Sequence, residues 1–296
     1  MTSVNRARPH ARVAVSVLLA VALLALAACG AKGNPHPKTL DSYVALGDSY
    51  TALAGAGPFV DNACKRAKVN YPHLVAADLG ITTFTDASCG GATSANLTQD
   101  QAIKNPPASR PPQLEALSKK TKLVTLGIGL NNGSTPISYL LLYVCLPVNG
   151  ITLPQCSQYL KATDSSVTEA IATMASEVKA NLKAIKKAAP NARVVLVGYP
   201  RVLADDKDCQ ALPLPAAAAT RLRLALKLVN QDLARTAKSS KVDYIDMYAA
   251  SPGHELCSND PWMAGELNVP GKALQFHPYP AYARAVADKI VALLKK

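Results

Sequence analysis

The stretch YVALGDSYTALAGAG, residues 43–57, breaks from β-formers into Gly47-Asp48-Ser49 and then into an alanine-rich segment. A strand that ends in a small-residue turn and re-enters a helix sets one hydroxyl at the carboxyl edge of a sheet, beside the free N–H groups of the helix start. A nucleophilic serine needs that placement, and it also needs a base to take its proton and donors to meet a developing oxyanion. Taken alone, the same turn allows Asp48 or Ser49 to do no more than cap the following helix. The partners of Ser49 must decide between the two.

The amino terminus carries Arg6, Arg8 and Arg12 ahead of an apolar run from Val13 to Ala28. This is the pattern of an export signal, with an apolar core short for a membrane span. Leu26-Ala27-Ala28-Cys29 resembles the lipobox of bacterial lipoproteins, which implies acylation of Cys29 as the first mature residue. The expected organisation is a lipoprotein signal peptide over residues 1–28, a lipidated polar tether over 29–40 and one domain over 41–296. A plain secretory signal or an uncleaved anchor is the alternative. The expected location is extracytoplasmic, with a lipid anchor on the outer face of the cell membrane.

Seven cysteines support export from an independent direction, since setting Cys29 aside leaves six to pair. Among the connectivities open to six, the order-adjacent one joins Cys64 with Cys89, Cys145 with Cys156, and Cys209 with Cys257, one bridge to each loop region. With no Cys-x-x-Cys pair and an oxidising compartment, disulfides are favoured over zinc, and neither a metal nor a cofactor is expected. The formal charge is +12, and three of those charges lie before residue 29. Lysines such as Lys179, Lys183, Lys186 and Lys187 are spread along helices without interleaved aromatics, which argues against a nucleic-acid partner. A basic face turned to an anionic membrane suits a lipid-anchored protein, with a solvated lysine-rich surface as the alternative.

Short apolar runs at Tyr43–Leu46, Leu123–Ile128, Arg193–Tyr199 and Val242–Met247, with a weaker one at Thr82–Thr85, read as fully buried strands. Helical patterns cover Asp164–Ala189, ended by Pro190, then Ala216–Ser239 and Pro280–Leu294. Strands alternating with helices predict an α/β fold: a three-layer α/β/α sandwich around a mostly parallel sheet of about five strands. In such sheets the functional residues collect beyond the carboxyl ends of the strands. The loops there read DASCGGATSANL at 86–97, LGIGLNNGS at 126–134 and FHPYPAYARAV at 276–286.

With these motifs the chain resembles the SGNH hydrolases, the GDSL esterase/lipase family, and most of all their secreted, disulfide-bearing actinobacterial members. The likeness runs from Gly47-Asp48-Ser49 to His277-Pro278. It implies a flavodoxin-like fold and hydrolysis of acyl esters, with a small-molecule or lipid ester as substrate and a monomer as the working unit. It also implies Ser49 as nucleophile and His277 as base. The backbone N–H groups of Ser49 and Gly91 and the side-chain amide of Asn131 would form the oxyanion hole.

Two positions depart from the family pattern. Leu274 stands where the family commonly has an aspartate three residues before the histidine. The resemblance to members lacking that acid implies the Leu274 carbonyl as the group that orients His277, with Asp260 a second choice. Asn132 stands where an aspartate usually follows the asparagine, which leaves open which of Asn131 and Asn132 faces the oxyanion. His73, at a helix start, reads as structural, and His254 is not expected to act in the chemistry. The insertion Gly133–Thr163 is apolar enough either to wall an acyl pocket or to form a short core helix closed by Cys145 and Cys156. The alternatives to a simple esterase are an envelope carbohydrate esterase or acyltransferase, and a non-catalytic envelope-binding lipoprotein.

Overall fold

Apolar runs make four of the five strands and the edge strand β2 has only Phe84 between threonines: β1 (Ser42–Gly47), β2 (Thr83–Asp86), β3 (Leu123–Gly127), β4 (Arg193–Val197) and β5 (Asp243–Ile245). They form one parallel sheet in the order β2-β1-β3-β4-β5, with Val44 beside Thr85 and Val124, and Leu126 beside Leu196. The computed structural model describes Met1 and residues 39–104, 106–133, 136–147, 154–161, 164–205 and 209–296. The signal over residues 1–28 and the lipidation of Cys29 lie outside the described residues, as does all of the tether except its last two positions. The elements named here belong to one compact unit, Pro37–Lys296.

Side chains alternate across each strand, and both faces of the sheet are dry. Val44, Leu46, Val124, Leu126 and Leu196 point to one face. There they meet Met174, Val178 and Leu182 of α2 (Asp164–Ala188) and Leu226 and Val229 of α3 (Ala216–Ser240). Tyr43, Ala45, Leu123, Val195 and Val197 point to the other, against Val75 of α1 (Tyr71–Asp78) and Val286 and Ile290 of α4 (Pro280–Leu294). Burying each such leucine, isoleucine or valine contributes about 1.5–3 kcal/mol. The expected three-layer sandwich is therefore present, with every strand and long helix within a few residues of its expected bounds.

Two small antiparallel pairs, Phe59–Asp61 with Arg66–Ala67 and Gln101–Lys104 with Pro107–Arg110, carry no apolar run that would mark them in the sequence, and neither does the full length of α1. All three order-adjacent disulfides are formed: Cys64–Cys89, Cys145–Cys156 and Cys209–Cys257. The described residues of the Gly133–Thr163 insertion divide between a small core and the cavity wall. Val144, Cys145, Cys156 and Tyr159 make a small core against Ala218 of α3, while Ser138 and Tyr143 face the cavity at the carboxyl edge of the sheet. Strand order reverses between β1 and β3, and this opens a crevice at their carboxyl ends.

Candidate active site

Gly47 ends β1 with φ +153°, and a Cβ there would lie 2.3 Å from Thr51 Oγ1 and 2.5 Å from the Gly127 carbonyl. Only glycine lets β1 turn this close to β3. Asp48 then caps the short helix Ser49–Ala52, its carboxylate accepting from the Tyr50 N–H at 2.9 Å. Capping is thus done by Asp48, and Ser49 sits buried at the cavity wall.

The second Asp48 oxygen accepts from the Tyr199 hydroxyl at 2.6 Å, and that hydroxyl accepts from the Leu130 N–H at 3.3 Å. One hydrogen-bonded chain thus joins the residue before Ser49 to the residue before Asn131. Burial raises the Asp48 pKa to about 6, against the lowering effect of the Tyr199 and Tyr50 donors. The Tyr199 hydroxyl is pushed well above its usual range by burial and by the Asp48 charge.

Gly91 has φ +75°, and a Cβ added there would come no nearer than 3.9 Å to any neighbour, so the backbone turn and not the space demands glycine. Its segment hangs on the end of β1. Cys89 N donates to the Gly47 carbonyl at 3.0 Å, Gly90 N donates to the Cys64 carbonyl at 2.8 Å, and the Cys64–Cys89 bridge closes the loop. Asn131 Nδ2 donates to the Ala92 carbonyl at 3.1 Å, and its Oδ1 accepts from Ser138 Oγ at 3.3 Å. Asn132 is turned away from the cavity. It accepts from Ser94 N at 3.0 Å and donates to Ser94 Oγ at 2.7 Å and Glu177 at 2.5 Å, bracing the loop.

His277 Nδ1 lies 2.7 Å from the Gln275 carbonyl. A carbonyl can only accept, so Nδ1 carries the proton and Nε2 keeps a free lone pair. This corrects the expectation for Leu274, whose carbonyl is taken by the backbone N–H of His277 at 3.0 Å. The reason is Phe276: its φ of +56° tightens the turn and brings the carbonyl two residues back, not three, to the imidazole. A bulky residue in that region is strained and must be held. The Tyr50 hydroxyl donates to the Phe276 carbonyl at 2.8 Å, and Phe276 N donates to Gly265 O at 3.0 Å. Burial lowers the His277 pKa, and the Gln275 carbonyl opposes that shift.

Asp260 lies apart from this arrangement, with its carboxylate 3.2 Å from His254 Nδ1, in a loop where His254 stacks on Trp262 at 4.1 Å. His73 bonds Asn70 Oδ1 at 2.7 Å and packs against Phe84, in keeping with a structural role. Among the described residues there is no group of three metal-ligating side chains.

Ser49, Gly91, Asn131 and His277 line one cavity of about 340 Å³, with Ile103, Leu130, Tyr143, Leu274 and Phe276 supplying apolar wall. Sequence reasoning missed Tyr50, Tyr199 and Gln275. Gln275 could have been found only by knowing the turn at Phe276, and the two tyrosines read as ordinary core residues.

Residues 45–285 match the GDSL-like Lipase/Acylhydrolase family. The chain is 33% identical over 300 residues to Lipase 2 of Streptomyces coelicolor, across 96% of this chain and 97% of that one. It superposes on the phospholipase A1 of Streptomyces albidoflavus with a TM-score of 0.70 at 26% identity, covering 86% of this chain and 99% of that one. The extracellular lipase of Streptomyces rimosus gives a TM-score of 0.69 at 26% identity, with 85% and 98% covered.

The Tyr199 hydroxyl serves two buried partners at once. Replacing Tyr199 with Phe should cost about 1–3 kcal/mol in denaturant unfolding at pH 8, and the loss should shrink toward pH 4, where Asp48 carries its proton in either variant. A variant as stable as the parent at pH 8 would show that the chain from Leu130 to Asp48 does not brace the site.

Proposed function

We propose a mechanism for a chain that belongs to the GDSL-like Lipase/Acylhydrolase family and is a carboxylic ester hydrolase: Ser49 Oγ attacks the acyl carbonyl as His277 Nε2 takes its proton. The observation that carries this reading is the bond from His277 Nδ1 to the Gln275 carbonyl, because it leaves Nε2 as the basic nitrogen on the cavity that Ser49 lines. Attack turns the ester carbonyl oxygen into an oxyanion. The N–H groups of Ser49 and Gly91 and the Asn131 amide proton not held by Ala92 are its donors. Collapse breaks the ester C–O bond, and His277 returns its proton to the leaving alkoxide. Water then attacks the acyl-Ser49 by the same steps in reverse roles, and the carboxylic acid leaves.

Without a carboxylate partner the imidazolium is stabilised less than in a triad. The Gln275 carbonyl still accepts from Nδ1–H throughout and fixes the ring. The apolar wall of Ile103, Leu130, Tyr143, Leu274 and Phe276 suits the acyl chain of a small-molecule or lipid ester. Every group used comes from one chain, which supports action as a monomer.

Three disulfides accord with a domain that works outside the cytoplasm. For the segment before it we propose lipid anchoring through Cys29, on the strength of Leu26-Ala27-Ala28-Cys29. Mass analysis of protein extracted from membranes should find an amino-terminal peptide that begins at Cys29 and carries an added diacylglyceryl group. An unmodified Cys29, or an earlier start, would rule the anchor out.

Asn131→Ala should lower kcat for a p-nitrophenyl ester by about 100- to 1,000-fold with KM little changed, and Ser49→Ala should abolish turnover while the fold persists. Wild-type kcat in either would remove that residue from the mechanism.

A base must be neutral to work, and a depressed pKa keeps His277 neutral to lower pH. The acid limb of kcat/KM should therefore have its inflection below the ordinary histidine value of 6.5. Asp48→Asn should leave that limb in place. An inflection above 6.5, or one that vanishes with Asp48, would assign the limb to another group.

A further inference from the structure

All five strands run in one direction, so they all begin at the edge of the sheet opposite the cavity. That edge gathers lysines from four separate segments. The loop before β3 brings Lys119, Lys120 and Lys122, and it is tied in place by Ser42 Oγ donating to the Lys120 carbonyl at 2.8 Å and Asn191 Nδ2 donating to the Lys119 carbonyl at 3.2 Å. The end of α2 brings Lys186 and Lys187, with Lys186 Nζ reaching the carbonyls of Ser240 and Lys241 at the end of α3. Lys238 and Lys241 are exposed there. The end of α4 brings Lys295 and Lys296, just after Leu293, whose carbonyl accepts from Arg193 of β4 at 3.3 Å.

Among the described residues, Asp243 at this edge is taken by Arg193 at 2.7 Å, and Asp41 stands next to β1. A groove lined by Lys179, Lys183, Lys186, Ser239 and Ser240 extends the same charge up the α2–α3 face. The chain also enters the domain at this edge, since residues 39–41 lead straight into β1, and 38 residues precede them.

We infer that this basic edge is a docking face for an anionic phospholipid membrane, so that the domain stands on the bilayer with its catalytic cavity facing away from it. A lysine cluster of this kind is attracted to the negative surface potential of such a leaflet within about a Debye length. The attraction adds to whatever attachment the preceding residues supply and fixes an orientation that a tether alone would not. β1 spans six residues, so at about 3.3 Å per residue the cavity is held roughly 20 Å above the docking edge. The ester that reaches Ser49 therefore arrives from the water or the outer envelope, and not from the leaflet beneath the domain. The inference does not depend on which residues perform the chemistry.

Lysine acylation footprinting of the full chain tests this. The protein is treated with a water-soluble N-hydroxysuccinimide ester in the presence of phosphatidylcholine vesicles, with and without phosphatidylglycerol, and modified peptides are read by mass. Lys119, Lys120, Lys187, Lys241 and Lys295 should be acylated several-fold more slowly on the anionic vesicles, and this protection should disappear at about 0.5 M salt, where screening is nearly complete over a few ångströms. Lys65, which lines the cavity, and Lys104, which follows the cavity-lining Ile103 in the chain, should react alike on both. Equal reactivity of the basal lysines on the two vesicle types, or protection of Lys65 and Lys104 in their place, would overturn the inference. Ser49→Ala should give the same footprint as the parent, which separates this result from any failure of the catalytic assignment.

Discussion

The buried hydrogen bond between Asp48 and Tyr199 is the interaction on which the site depends. Asp48 closes β1, Tyr199 follows β4, and through the Leu130 N–H the same hydroxyl reaches the loop after β3. Three loops at the carboxyl edge are thereby locked to one another at the reversal point of the sheet. Burying the Asp48 carboxylate is destabilising in itself, and the Tyr199 hydrogen bond offsets part of that cost. A carboxylate whose pKa rises from 3.8 to about 6 on burial withdraws about 3 kcal/mol of stability at neutral pH, and the loss grows as pH climbs through that interval. The dry two-faced core and three disulfides offset that loss, and in return Ser49 and Asn131 are held at fixed separation.

The histidine side of the site meets a different requirement. Among the described residues no carboxylate bonds His277, yet an imidazole free to choose its tautomer is a poor base. The chain answers with geometry: Phe276 is forced into a left-handed turn, Tyr50 and Gly265 hold it there, and the Gln275 carbonyl meets Nδ1. Tyr50 is the residue that follows Ser49, so the helix that carries Ser49 and the turn that carries His277 are joined by one hydroxyl. Backbone strain near the site thus has an identifiable function, and its restraint is local.

The layers of the fold were legible because burial on both faces leaves an apolar run in the central strands, with only the edge strand β2 weakly marked, and because Pro190 and Pro280 mark helix ends in the sequence. The site was legible where a side chain carries the proposed role: Ser49, Asn131 and His277 face one cavity together with Gly91. It was illegible where a carbonyl does the work. Every residue has one, so nothing in the letters around position 277 distinguishes Gln275 from Leu274, and the choice falls to a φ angle at Phe276 that no propensity forecasts for an aromatic residue. Asn131 and Asn132 are likewise identical in type. Only the packing of Ser94 and Glu177 around the second separates the one that lines the cavity from the one that braces the loop.

Ser49 is the proposed nucleophile, made reactive by a His277 oriented through a carbonyl alone. The most direct measurement is peptide mapping of the protein after treatment with a fluorophosphonate, carried out on the parent, on His277→Ala and on Asp260→Asn. A single adduct on Ser49 is expected in the parent, formed at least about 100-fold more slowly in His277→Ala and at close to the parental rate in Asp260→Asn. An adduct on another residue, undiminished labelling without His277, or a comparable loss in Asp260→Asn would contradict this assignment.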